Sequence, residues 1–143
     1  CRMGNKRRNA LDLPVIFPIT KEFIELLGIY AAEGTNFISS VNRVVFSFGS
    51  HETKLIQYAQ NLIQQVFGYR SAAHYAHETA TTIQIDSLII ALFFKYILDT
   101  GSNSHGKRVP SIIFNIPFYL RERYLIAYLA GDGYPAKIFT ESH

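Results

Sequence analysis

The chain has 143 residues, 48% of them apolar and 17% charged, with a formal net charge of +3. That length suits one domain with its own hydrophobic core, and that balance excludes a disordered tail. The single cysteine, Cys1, excludes an internal disulfide, as expected in a reducing compartment. The apolar run from Leu88 to Phe94 stops at Lys95, well short of the roughly 20 residues of a membrane span. Cytoplasmic location and no membrane partner are the expectation.

Residues 1–13 are basic and read as a linker or arm, with Arg2, Lys6, Arg7 and Arg8. Thr20 is a candidate N-cap for a helix with Phe23, Leu26, Leu27 and Tyr30 at helical spacing, stopped by Gly34. Glu22 and Glu25 fall early in that helix, where its dipole favours acids. Asn36 to Gly49 reads as a hairpin, turning at Ser40 to Arg43. Ser50 is expected to cap a second helix, His51 to Phe67, with Gly68 as its stop. A second hairpin follows, Arg70 to Glu78 and Thr81 to Asp86, in which Ile83 and Ile85 alternate with Thr82, Gln84 and Asp86. Ser87 opens an apolar third helix to Leu98; after a polar loop, a further helix starts near Pro117. The fold class expected is therefore α+β, in the order αββαββα.

Two segments of this chain repeat. Leu26-Leu27-Gly28-Ile29-Tyr30-Ala31-Ala32-Glu33-Gly34 corresponds to Leu125-Ile126-Ala127-Tyr128-Leu129-Ala130-Gly131-Asp132-Gly133, 99 residues on. Their lead-ins, Val15 to Thr20 and Ile112 to Pro117, also correspond. Each copy sets small residues four apart, Gly28 and Ala32, then Ala127 and Gly131, giving a flat stripe for close helix packing. Each also ends in an acid, Glu33 or Asp132, at the helix end whose dipole disfavours it. If the stripes meet, the two carboxylates arrive together and repel unless a cation neutralises them. Oxygen ligands favour a hard ion such as Mg²⁺.

These two nonamers, with the αββαββ order between them, resemble the LAGLIDADG (dodecapeptide) homing endonucleases. Phe46-Ser47-Phe48-Gly49 and Lys107-Arg108-Val109-Pro110 look most like the endonuclease domains of archaeal inteins. The resemblance covers roughly residues 14 to 135, with 14–111 as a first unit and 112–143 as the start of a second. It implies a saddle-shaped fold that cuts double-stranded DNA site-specifically, with Glu33 and Asp132 as catalytic metal ligands for Mg²⁺ and Lys107 assisting. Arg43, Arg70, Lys107 and Arg108 are candidate DNA contacts. The alternative in the same fold is a non-cleaving nucleic-acid-binding relative: an RNA maturase, a regulator or an inactive remnant.

Ten residues follow Gly133, so the expectation is a homodimer or a fragment of a longer chain. Other motifs carry less. Gly101 to Lys107 fits the first seven positions of a phosphate-binding loop, but Arg108 stands where Ser or Thr is required. No nucleotide partner is expected. His74 and His77 stand three apart on an expected strand and would point to opposite faces, which argues against a shared zinc ion.

Overall fold

The computed structural model describes residues 17–37, 42–99 and 108–132. Helix α1 (Lys21–Glu33) runs directly into strand β1 (Gly34–Phe37); β2 (Arg43–Gly49), helix α2 (Thr53–Phe67), β3 (Ala73–His77) and β4 (Ala80–Ile85) follow. A short helix α3 (Leu88–Leu92), a π-helical turn (Phe93–Ile97), a 3₁₀ turn (Ser111–Asn115) and helix α4 (Phe118–Gly131) complete the α+β order.

The four strands form an antiparallel sheet in the order β1-β2-β4-β3. Alternation makes it one-sided. Val44, Phe46 and Phe48 of β2 and Ile83 and Ile85 of β4 are buried on the inner face, while Ser47 is exposed and Val45, Thr82 and Gln84 are half-buried on the outer one. The inner face is covered by helices. Every residue of α1 from Phe23 to Tyr30 is buried, because that helix has the sheet on one flank and α4 on the other. An aromatic cluster fills the base of the core: Phe17 lies 4.9 Å by ring centroid from both Phe23 and Phe93, and Tyr30 lies 4.7 Å from Phe94. Asn36 donates from Nδ2 to the carbonyl of Ala91 at 2.8 Å, tying β1 to α3.

The helix ends show where local chemistry agrees with the sequence pattern and where it does not. Thr20 caps α1, its Oγ1 accepting from the Phe23 N–H at 3.1 Å, and Ser87 caps α3 through the Ile90 N–H. Gly68 ends α2 in the left-handed region at φ 65°, the conformation glycine adopts without a Cβ penalty. Ser50 does not cap α2. Its hydroxyl lies 3.1 Å from that of Thr81 on β4, and the carboxylate of Glu52, the residue before the helix, accepts from the Gly49 N–H instead. The helix therefore begins at Thr53, two residues later than expected. The third helix also differs, since its α-helical part ends at Leu92 and the rest widens to a π turn. The turn expected at Ser40 to Arg43 lies partly outside the described residues, as do the arm 1–13, the lead-in start at Val15 and Ile16, and the loop 100–107 with its phosphate-loop motif. The two lead-ins differ in form: Phe17 to Thr20 is irregular, whereas Ser111–Asn115 is a 3₁₀ turn.

Helices α1 and α4 run side by side and parallel. A Cβ on Gly28 would strike the backbone carbonyl oxygen of Tyr124 and stand 2.8 Å from the Ala127 Cβ; a Cβ on Gly131 would strike the Ala32 Cβ. Gly28 thus meets Ala127, and Ala32 meets Gly131, so all four small residues lie in one contact with the sequence offset of 99 kept along it. The outward side of α4 stays open and largely apolar: Phe118, Tyr119, Leu125 and Leu129 are exposed, with Arg121 and Glu122 between them. The α1 residues corresponding to the last two, Leu26 and Tyr30, are fully buried. No helix among the described residues is long and apolar enough to cross a membrane.

Gly28→Ala tests this contact by the sign of its effect. Alanine normally stabilises a helix interior over glycine by about 1 kcal/mol. Here the added methyl meets backbone, and overpacking of that kind costs about 1–3 kcal/mol. Thermal or urea unfolding is expected to show a net loss of stability; a gain would contradict the close approach.

Candidate functional site: the paired helix ends

Parallel packing delivers both helix C-termini to the same place. Glu33 is the last residue of α1 and Asp132 directly follows the last residue of α4. The Glu33 side chain lies over Gly131: a Cβ there would stand 3.4 Å from Glu33 Cγ and 3.6 Å from Oε1. The Glu33 carboxylate therefore lies beside the backbone that carries Asp132. Glu33 is half-buried and Asp132 exposed. The Asp132 N–H closes α4 onto the carbonyls of Tyr128 and Ala130, which fixes where its Cα–Cβ bond starts.

Both acids end helices whose last turns carry no basic residue. The negative end of each macrodipole adds to the carboxylate charge instead of offsetting it. Two acids and two dipole ends of one sign converge, a field that attracts cations. Carboxylate oxygens, as donors, suit a hard cation. Among the described residues no group of three or more His, Cys, Asp or Glu side chains could hold a metal.

The site stands at the margin of the sheet. The chain passes from Glu33 into the edge strand β1 with no loop between, and Gly34 pairs with Phe46 of β2. The outer face that begins there carries Thr35, Arg43, Val45, Ser47, Thr82, Gln84 and, from β3, His74, matched across strands as Thr35–Val45, Val45–Gln84, Ser47–Thr82 and His74–Thr82. A bulge between Tyr75 and His77 shifts the register of β3. Tyr75 stands 84% exposed at the opposite edge.

The candidate DNA contacts fare differently. Arg43 forms an ion pair with Asp86, its neighbour across β2 and β4, so its charge is already matched. Arg70 is exposed just before β3. Arg108 pairs with Asp99 at 3.0 Å, both exposed. Lys107 lies outside the described residues.

One cluster is absent from the sequence reading. Glu25, placed by the sequence early in its helix, is buried, and its Oε1 accepts from the Arg123 guanidinium of α4 at 2.7 Å. Tyr58 of α2 borders them: burial first, and then the neighbouring Glu25 carboxylate, raise its pKa far above the usual tyrosine value. On α4, burial and the neighbouring Tyr128 push Tyr124 up to about 12. The sequence signal for the Glu25–Arg123 pair was their own spacing of 98, nearly the repeat offset.

No family model matches the chain. It is similar to the DNA polymerase II large subunit of Thermococcus kodakarensis, with 29% identity over 134 residues, covering 93% of this chain and 7% of that protein. It is also similar to an uncharacterized protein of Methanocaldococcus jannaschii, with 27% identity over 140 residues, covering 92% of this chain and 15% of that protein. The chain thus spans less than one sixth of the length of either relative.

The tyrosines give a pH prediction. Their folded pKa values lie above the unfolded value near 10, so stability from these groups is complete below about pH 10. As pH rises further the unfolded chain loses protons that Tyr58 and Tyr124 retain, and stability falls. Unfolding free energy measured from pH 8 to 12 is expected to decline above pH 10. Tyr124→Phe should flatten part of that decline; an unchanged slope would contradict the shift.

Proposed function

We propose that this chain is a homing-endonuclease domain of the LAGLIDADG type, derived from an intein, that hydrolyses phosphodiester bonds in double-stranded DNA. The observation that carries the reading is the side-by-side end of two repeated helices, each finishing in an acid. A second line of support is extent. The matched stretch fills almost all of this chain but a small share of two larger proteins, as a domain inserted into unlike hosts would.

In this reading Glu33 and Asp132 hold Mg²⁺, which when bound polarises phosphoryl oxygens and lowers the pKa of a ligated water. The chain's own contribution is placement. The small-residue contact fixes the two carboxylates relative to each other, and the dipole ends raise the local preference for a cation. The outer face of the sheet lies along the duplex: Thr35, Ser47, Thr82 and Gln84 supply polar groups for base edges, and Arg70, with Arg108 once it exchanges its exposed ion pair with Asp99, supplies phosphate contacts, which orient the protein without reading sequence. Lys107, assigned by its place before Val109-Pro110, assists at the scissile phosphate. The open apolar side of α4 is covered in the working protein by a second sheet, from a second copy or from a longer chain, because the corresponding side of α1 is covered by a sheet here.

The test is a cutting assay on DNA carrying the uninterrupted host-gene sequence, with Mg²⁺ varied. Cleavage is expected only with the metal. Glu33→Gln and Asp132→Asn should each reduce it by at least 100-fold while leaving DNA affinity within a few-fold, since phosphate contacts supply most of that affinity. Full cutting by either variant would make the acids structural. Metal-independent DNA binding with no cutting by the wild type would favour the non-cleaving relative.

A further inference from the structure

The cluster of Glu25, Arg123 and Tyr58 takes no part in the site just described, yet it sits in the same helix contact. Glu25 and Arg123 meet about two turns before the acids. Their side chains are 3% and 14% exposed. Tyr58 of α2 is half-buried, and Glu25 contributes to its raised pKa.

A contact made of small residues lets helices approach closely, but it specifies axial position weakly. A slide of α4 by one turn, about 5.4 Å, would set Gly28 against Gly131, again small against small. The same slide would bring Glu25 level with Ala127 and leave a buried carboxylate and a buried guanidinium apart. Breaking a buried pair is far more costly than forming it is rewarding. The polar cluster therefore penalises every register but one, where the apolar contact alone does not.

We propose that Glu25 and Arg123 are positioning residues that lock the axial register of α1 against α4 and so hold Glu33 level with Asp132. The inference rests on the shared-site reading for its functional consequence, but the register itself is measurable without any activity. A further expectation separates positioning from plain stability. Replacing a buried ion pair by well-packed apolar side chains is often neutral or stabilising, so stability and register should come apart.

The experiment uses the full chain with Cys1→Ser and spin labels on cysteines at Lys21 and Leu129. These positions are displaced along the helix axis, so a slide changes their separation directly. The unsubstituted pair is expected to give one narrow distance. Glu25→Met with Arg123→Met should keep or raise Tm, yet give a second distance population shifted by about 5 Å. If cutting is present in the wild type, the double variant should lose at least tenfold in kcat with KM little changed. Should the apolar pair fail to fold, Glu25→Gln carries the same readout, since it leaves Arg123 buried without a countercharge. One narrow, native distance in whichever variant folds would overturn the register lock, whatever the cutting assay shows.

Discussion

The close approach of α1 to α4 is the constraint on which the rest of the molecule depends. It requires glycine at Gly28, where α4 presents the Tyr124 carbonyl, and again at Gly131, where α1 presents the Ala32 methyl group. Because the helices run parallel, their like dipole ends lie together, an arrangement that costs free energy in itself. The contact is sustained by area instead: α1 is buried from Phe23 to Tyr30, between sheet and α4. Dispersion and apolar burial there outweigh the repulsion of two screened helix ends. Glu33 and Asp132 stand at those two ends.

The sheet depends on the same contact at one remove. Glu33 leads straight into β1, and Asn36 of that strand is held to α3 by its amide. The position of α1 therefore sets the position of the outer sheet face relative to the acids. That face is short in charge, because Arg43 is matched by Asp86, and rich in small polar groups. Exposed pairs of this kind contribute only about 0–1 kcal/mol to stability.

What the sequence made legible was whatever depends on local period. The i, i+4 small residues marked the helix contact, and period-two alternation in Thr81 to Ile85 marked the half-buried strand. Thr20, Gly68 and Ser87 marked helix ends through chemistry confined to a few neighbours. Tertiary competition hid the rest. Ser50 has the composition of a cap, but Thr81 of a distant strand takes its hydroxyl. Glu25 reads only as an acid favoured by the early turns of its helix, and its partner Arg123 lies 98 residues away, beyond any local pattern. The bulge in Ala73–His77 contains no glycine to announce it, and the apolar run through Phe93–Ile97 gives no sign of its wider turn.

The central claim is that Glu33 and Asp132 act as one cation site. Carboxylate carbon resonances of the two residues, followed by NMR through an Mg²⁺ titration of the intact chain, test it directly. Both resonances are expected to move on one shared isotherm, and either Glu33→Gln or Asp132→Asn should abolish the response of the remaining acid. Separate isotherms, or an Asp132 response that persists unchanged in Glu33→Gln, would contradict the account.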